Sequence, residues 1–150
     1  MRVLLAIDES APSQEAVNEV LRRLWPPDTT VRVLHAVGKF VPPAQELWYD
    51  AGGNLEQARQ EIKDRFQILV EETAKRLADH NLTTETSIRE GEPGKAIVQE
   101  AKDWKADLIF VGSRGHVTVQ RLLTGSVSHY VVDNALCPVE VVHQRQGADE

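Results

Sequence analysis

Apolar residues in this chain fall into short unbroken runs, separated by longer stretches with helical spacing. The first run, "VLLAI" at residues 3 to 7, is apolar at every position, the pattern of a strand covered on both faces. "SAPSQEAVNEVLRRL" follows with a Ser/Pro start and with Val17, Val20, Leu21 and Leu24 on one stripe, which predicts a helix. "TVRVLHAV" after the turn "WPPD" predicts a second strand. Residues 54 to 80 predict the longest helix, with Leu55, Ala58, Ile62, Phe66, Leu69, Thr73 and Leu77 three or four apart. "TTETSIRE" is a polar third strand, suited to a sheet edge. "GEPGKAIVQEAKDW" predicts a turn and a third helix beginning at Pro93, and "DLIFVG" a central fourth strand. A fourth helix carries Val127, Tyr130 and Val131, and "CPVEVVH" closes the series as a fifth strand. Strands alternating with helices predict one α/β domain over residues 1 to 150, an open doubly wound parallel sheet with helices on both faces. Residues 38 to 53, "GKFVPPAQELWYDAGG", interrupt the pattern with a long loop. Two readings stay open for it, a surface loop pinned by Trp48 and Tyr49 or a lid.

The stretch "DLIFVGSRGHVTVQRLLTGSVSHYVV" holds three glycines, Gly112, Gly115 and Gly125, spaced G-x2-G-x9-G and followed by Ser126. This matches neither the G-x-G-x-x-G dinucleotide fingerprint nor the P-loop. The chain has nine glycines, and two more glycines with a Ser/Thr at these offsets arise by chance in fewer than roughly one such chain in a hundred. In a doubly wound sheet ligands bind beyond the carboxyl ends of the strands where strand order reverses. The two most apolar strands, the first and fourth, predict that point, with Asp8 after one and Gly112 after the other. Gly112 and Gly115 are expected to bring backbone close to a ligand and to permit positive φ. Gly125 and Ser126 fall at a helix start, where free N–H groups favour an anion such as phosphate.

Charge and composition narrow the picture. Seventeen basic against twenty-three acidic residues give a net charge of -6, and without a basic cluster a nucleic-acid partner is not expected. Cys137 is the single cysteine, so no internal disulfide is possible. The first apolar run is too short for a signal-peptide core, and no segment is long enough to span a bilayer. A soluble, cytoplasmic protein is expected. Other chemistry-bearing residues have ordinary readings: Cys137 as a small apolar side chain, His35 as a hydrogen-bonded core histidine, His129 and Asp133 as a solvated face, and "GEPGK" as a helix cap.

"AIDES" at 6 to 10, "LHAV" at 34 to 37, "GSRG" at 112 to 115, "LLTGSVSHYVV" at 122 to 132 and "CPVEVV" at 137 to 142 together resemble the universal stress proteins, over essentially the whole chain. The resemblance implies a five-stranded parallel sheet in order 3-2-1-4-5 and a site for ATP or AMP. Gly112, Gly115, Gly125 and Ser126 would hold the phosphates and ribose, and Val127 would add an N–H. Val111 ends the strand before them and Ser113, Arg114 and His116 fall in the loop, Arg114 either solvated without a specific role or pairing with a phosphate, and His116 solvated or conferring pH dependence. Ala6 and Ala36 would lie beside the adenosine. Asp8 would lie near the nucleotide, through a bridging Mg or Mn ion. A homodimer joined at the last strand, residues 138 to 142, is implied as well, and Val139 and Val141 alternate onto one face there without evident cover. The function expected is nucleotide-dependent regulation without efficient catalysis. The alternatives are a slow ATP hydrolase and an interaction module without nucleotide.

Overall fold

The computed structural model describes residues 1–38, 54–113 and 125–145. Nearly all of the 38–53 loop, with Trp48 and Tyr49, lies outside the described residues, as do Arg114, Gly115 and His116. The elements run β1 (Arg2–Ala6), α1 (Ala11–Arg22), β2 (Thr30–Val37), α2 (Asn54–Ala78), β3 (Thr83–Glu90), α3 (Pro93–Trp104), β4 (Leu108–Gly112), α4 (Ser126–Asn134) and β5 (Val139–Val142). All pairings are parallel, and the strand order is β3-β2-β1-β4-β5. The central position of β1 explains its composition: Val3, Leu4 and Leu5 are fully buried, and alternate residues feed opposite cores.

One core lies under α1 and α2, built from Val3, Leu5 and Ile7 of the β1 region with Val17, Val20, Val70, Leu77 and Phe110. The other lies under α3 and α4, where Leu4, Leu34, Ile97, Ile109, Val111 and Val131 meet. Val139 and Val141, expected to lack cover, pack on this second cluster beside Val127 and Ala135. The helix stripe of α4 supplies the cover, so the outer face of β5 is only half open.

Helix α1 ends two residues before the predicted stripe does. Leu24, expected on that stripe, is fully exposed, because Arg23 is already extended (φ -84, ψ 148) and the Trp25-Pro26-Pro27 sequence disfavours continued helix. Trp25 takes the core position instead. Its indole meets Phe110 edge-on at 5.9 Å and donates to Val20 O at 2.8 Å.

The polar strand β3 sits at the edge, as its sequence predicts, and is fastened by charge. Glu100 of α3, 5% exposed, pairs with Arg32 at 2.9 Å and Arg89 at 2.8 Å. Arg32 also reaches Glu85 across the β2–β3 pair at 2.6 Å, and its guanidinium lies 4.4 Å from the ring centroid of Trp104.

Gly112 ends β4 where α1 begins. A Cβ there would stand 2.8 Å from both the carbonyl carbon of Pro12 and the amide nitrogen of Ser13, closer than any side-chain carbon can approach backbone. The missing side chain therefore makes room for α1, and positive φ is not used: Gly112 lies outside that region. This packing reason is one that the sequence did not suggest. The expected outcome for Gly112→Ala is a loss of about 1–3 kcal/mol from overpacking, read as a fall in melting temperature of roughly 3–10 °C.

Candidate functional site

The strand order reverses between β1 and β4, where the sequence predicts a crevice, and two chain segments leave the sheet at that point. The first leaves β1 at Ala6, which is half-buried, passes Ile7, whose N–H donates to Leu34 O at 2.8 Å, and reaches Asp8. Asp8 belongs to a closed ring of three hydrogen bonds. Its own N–H donates to Ser13 Oγ at 2.9 Å, Ser13 N–H donates to Ser10 Oγ at 3.3 Å, and Ser10 N–H returns to Asp8 Oδ1 at 2.8 Å. Ser10 is the N-cap of α1, so the ring satisfies orphan amide groups of the helix start while fixing the acid. Asp8 Oδ2 is left with no hydrogen bond among the described residues.

The second segment leaves β4. Val111 is buried and Gly112 half-buried, and the buried Ser113 continues the ladder by donating its N–H to Val142 O at 2.8 Å. Ser113 O in turn accepts the N–H of Gly125, which brings the far end of the glycine motif back onto the strand. Gly125 is the N-cap of α4, with extended angles (φ -68, ψ 161) and no side chain to cap with. The first bond within α4 runs from His129 N–H to Gly125 O at 3.0 Å. The N–H groups of Ser126, Val127 and Ser128 therefore have no acceptor in the helix, and the positive end of the helix dipole lies among them. Ser126 is exposed and Val127 half-buried at this end. An oxyanion is the ligand that such an end favours.

Ala6 and Ala36 share one face of the sheet, on either side of Leu34, which pairs with Ala6. Both are half-buried. The structure thus brings together Ala6, Asp8, Val111, Gly112, Ser113, Gly125, Ser126 and Val127 at the switch point, with Ala36 one strand away.

Sequence reasoning missed two buried hydroxyls. Ser13, 2% exposed, holds Asp8 through the ring, and Ser128, 1% exposed, lies under the glycine cap. Ser128 Oγ is 2.9 Å from Gly125 O and 3.4 Å from Ser113 O. The spacing of acid and serines at 8, 10 and 13 carried a capping signal that points to Ser10 but not to the acceptor role of Ser13. The rim was missed too. Helix α2 leans on the crevice through Arg65, which forks onto Glu9 at 2.8 and 2.6 Å, and through Phe66, stacked on His35 at 3.8 Å. His35 is the hydrogen-bonded core residue expected, its Nδ1 2.7 Å from Ile7 O. Cys137 is half-buried among apolar residues, and burial, with a smaller contribution from Asp107, pushes its thiol pKa up, which disfavours the thiolate.

Among the described residues no group of three or more His, Cys, Asp or Glu side chains could hold a metal ion. Asp8 Oδ2 would provide one carboxylate ligand. That set fits a divalent cation that arrives with phosphates and draws most of its oxygen ligands from them and from water.

The universal stress protein family profile matches residues 1–143. The chain is 29% identical over 144 residues to the universal stress protein YxiE of Bacillus subtilis, covering 94% of this chain and 97% of that relative. Its fold resembles a universal stress protein family member from Arabidopsis thaliana solved with AMP bound, at TM-score 0.70 and 22% identity, over 99% of this chain and 97% of that one. It also resembles a universal stress protein solved in complex with cAMP, at TM-score 0.66 and 23% identity, over 97% and 98% of the two chains. With sequence profile, strand order and glycine motif in agreement, the chain belongs to the universal stress protein family.

Proposed function

We propose that this protein binds an adenine nucleotide, ATP or AMP, in the crevice between β1 and β4, and that occupancy serves regulation and not efficient catalysis. The observation that carries the reading is the start of α4: a glycine cap with no side-chain acceptor, tied to the end of β4, with the N–H groups of Ser126 and Val127 left for a ligand. The AMP and cAMP bound by the two similar structures support an adenine nucleotide as that ligand. In this reading Ser126, Val127, Gly125 and the Gly112–Gly115 segment take the phosphates and ribose, Ala6 and Ala36 flank the adenosine, and Asp8 holds a nucleotide-borne Mg or Mn ion.

Backbone N–H groups of this kind hold ground state and transition state alike, which gives affinity without much rate. The same family reading carries a homodimer through residues 138–142. Its support here is the position of β5 at the sheet edge with Leu136 (81%) and Val132 (50%) exposed beside it, since open edges are commonly paired or covered.

Three measurements test the reading. Ser126→Pro removes one N–H at the first helical position, where proline is well tolerated, and Gly125 already has the extended angles that a residue before proline needs. The helix is expected to survive while ATP binding weakens by the value of one charge-assisted bond, about 1.5–3 kcal/mol, or roughly 10- to 150-fold. Equal affinity by calorimetry for variant and wild type would remove the helix-start cradle. ATP incubated with the protein and magnesium is expected to turn over far more slowly than the roughly 1 to 1000 per second of typical enzymes. Turnover near one per second that vanishes in Asp8→Ala would make this an enzyme. Light scattering is expected to give a dimer mass at micromolar concentration, and a monomer mass with and without nucleotide contradicts the β5 contact.

A further inference from the structure

The nucleotide reading gives no task to Ser13, a buried polar side chain beside the site. Ser13 sits at the first turn of α1, 2% exposed, between the exits of the two central strands. On one side its Oγ accepts the Asp8 N–H at 2.9 Å. On the other its amide nitrogen lies where a Cβ on Gly112 would come within 2.8 Å. Its own N–H is spent on Ser10 Oγ, whose N–H is spent on Asp8 Oδ1. Each member of this ring donates a backbone N–H to the side-chain oxygen of the next, so the main chain and the carboxylate of Asp8 are fixed together. The ring engages Oδ1, and Oδ2 carries no hydrogen bond among the described residues.

From this geometry we infer that Ser13 is the positioning residue for a divalent cation carried by the nucleotide. It acts through Asp8 and touches neither cation nor nucleotide. The inference rests on the proposed nucleotide site and deepens it. A carboxylate that ligates a metal works best when its remaining contacts fix its direction, and loss of such a supporting partner typically weakens metal binding by about 10- to 100-fold. Without Ser13 Oγ the Asp8 N–H loses its acceptor and the ring opens; Ser10 N–H still reaches Oδ1, but the backbone that carries the carboxylate is held less firmly, and Oδ2 with it. The phosphate contacts made by α4 do not pass through Ser13, so nucleotide affinity in the absence of metal is expected to be indifferent to it.

The test is a titration of Mn2+ into the full chain saturated with ATP, followed by electron paramagnetic resonance of the free ion, with ATP affinity measured separately in EDTA. Ser13→Ala is expected to weaken Mn2+ by at least about 10-fold and to leave ATP affinity in EDTA unchanged. Asp8→Asn keeps an Oδ1 acceptor for the ring but removes the charged ligand; it should lose Mn2+ in the same way, and adding Ser13→Ala to it should cost nothing more. Thr29→Val serves as the stability match, because Thr29 is also a buried hydroxyl, bonded to Pro26 O at 2.7 Å, and it precedes β2 at the opposite end of the sheet. A purely structural Ser13 would lower the melting temperature as Thr29→Val does and leave Mn2+ binding intact. Mn2+ held equally by wild type and Ser13→Ala, or retained by Asp8→Asn, overturns the inference while the nucleotide site stands. A wild-type chain that takes up no ATP in EDTA overturns both.

Discussion

Everything at the crevice depends on a contact that has no side chain on one side of it. The backbone of Pro12 and Ser13 occupies the space that a Cβ on Gly112 would need. Parallel strands β1 and β4 are neighbours, but their connections leave in opposite directions, and a helix start must fit at the seam. Close approach there lets α1 seal the apolar core beneath it, where Val17, Val20 and Phe110 meet. It also brings the N–H and hydroxyl of Ser13 level with Asp8. The glycine is therefore a packing requirement first, and the site inherits its shape from that packing.

The two halves of the crevice are held by different means. On the β1 side a ring of side-chain acceptors satisfies the start of α1 from within. On the β4 side the start of α4 receives no side-chain cap among the described residues, which leaves its amide groups with capacity for an external acceptor. The contrast between a capped and an uncapped helix start, at the same end of one sheet, is what gives the site its polarity. Ser128 underpins the uncapped end by bonding Gly125 O from below, which steadies the turn without using the amide groups above it.

Electrostatics secures the periphery. Glu100 is buried between Arg32 and Arg89, so that the acid, which water barely reaches, is compensated from two sides. That network lets a strand as polar as "TTETSIRE" hold its place against α3. The fork between Arg65 and Glu9 is more exposed and correspondingly weak and salt-sensitive. The firmer link between α2 and the crevice is the stack of Phe66 on His35, whose ring is bonded to Ile7 O one residue before Asp8.

Elements whose residues report on their own neighbourhood were legible in the chain alone. The all-apolar "VLLAI" and "DLIFVG" had to be central strands, since only burial on both faces suits them, and the polar "TTETSIRE" had to be an edge. The apolar first and fourth strands, with an acid after one and a glycine after the other, marked the switch point for the same reason, since it falls between them. What the chain could not disclose depended on residues far away in sequence. Whether Leu24 or Trp25 entered the core was decided by where the prolines stopped α1 and by Phe110 waiting beneath. Val139 and Val141 gained cover only when α4 folded across them. The packing role of Gly112 showed only when α1 was seen to occupy its empty side, and Ser13 looked like any serine of a first turn until Asp8 was found bonded to it. Periodicity fixes which face of an element is apolar, but it carries no information about which atom of another element will fill the gap; only packing in three dimensions settles that.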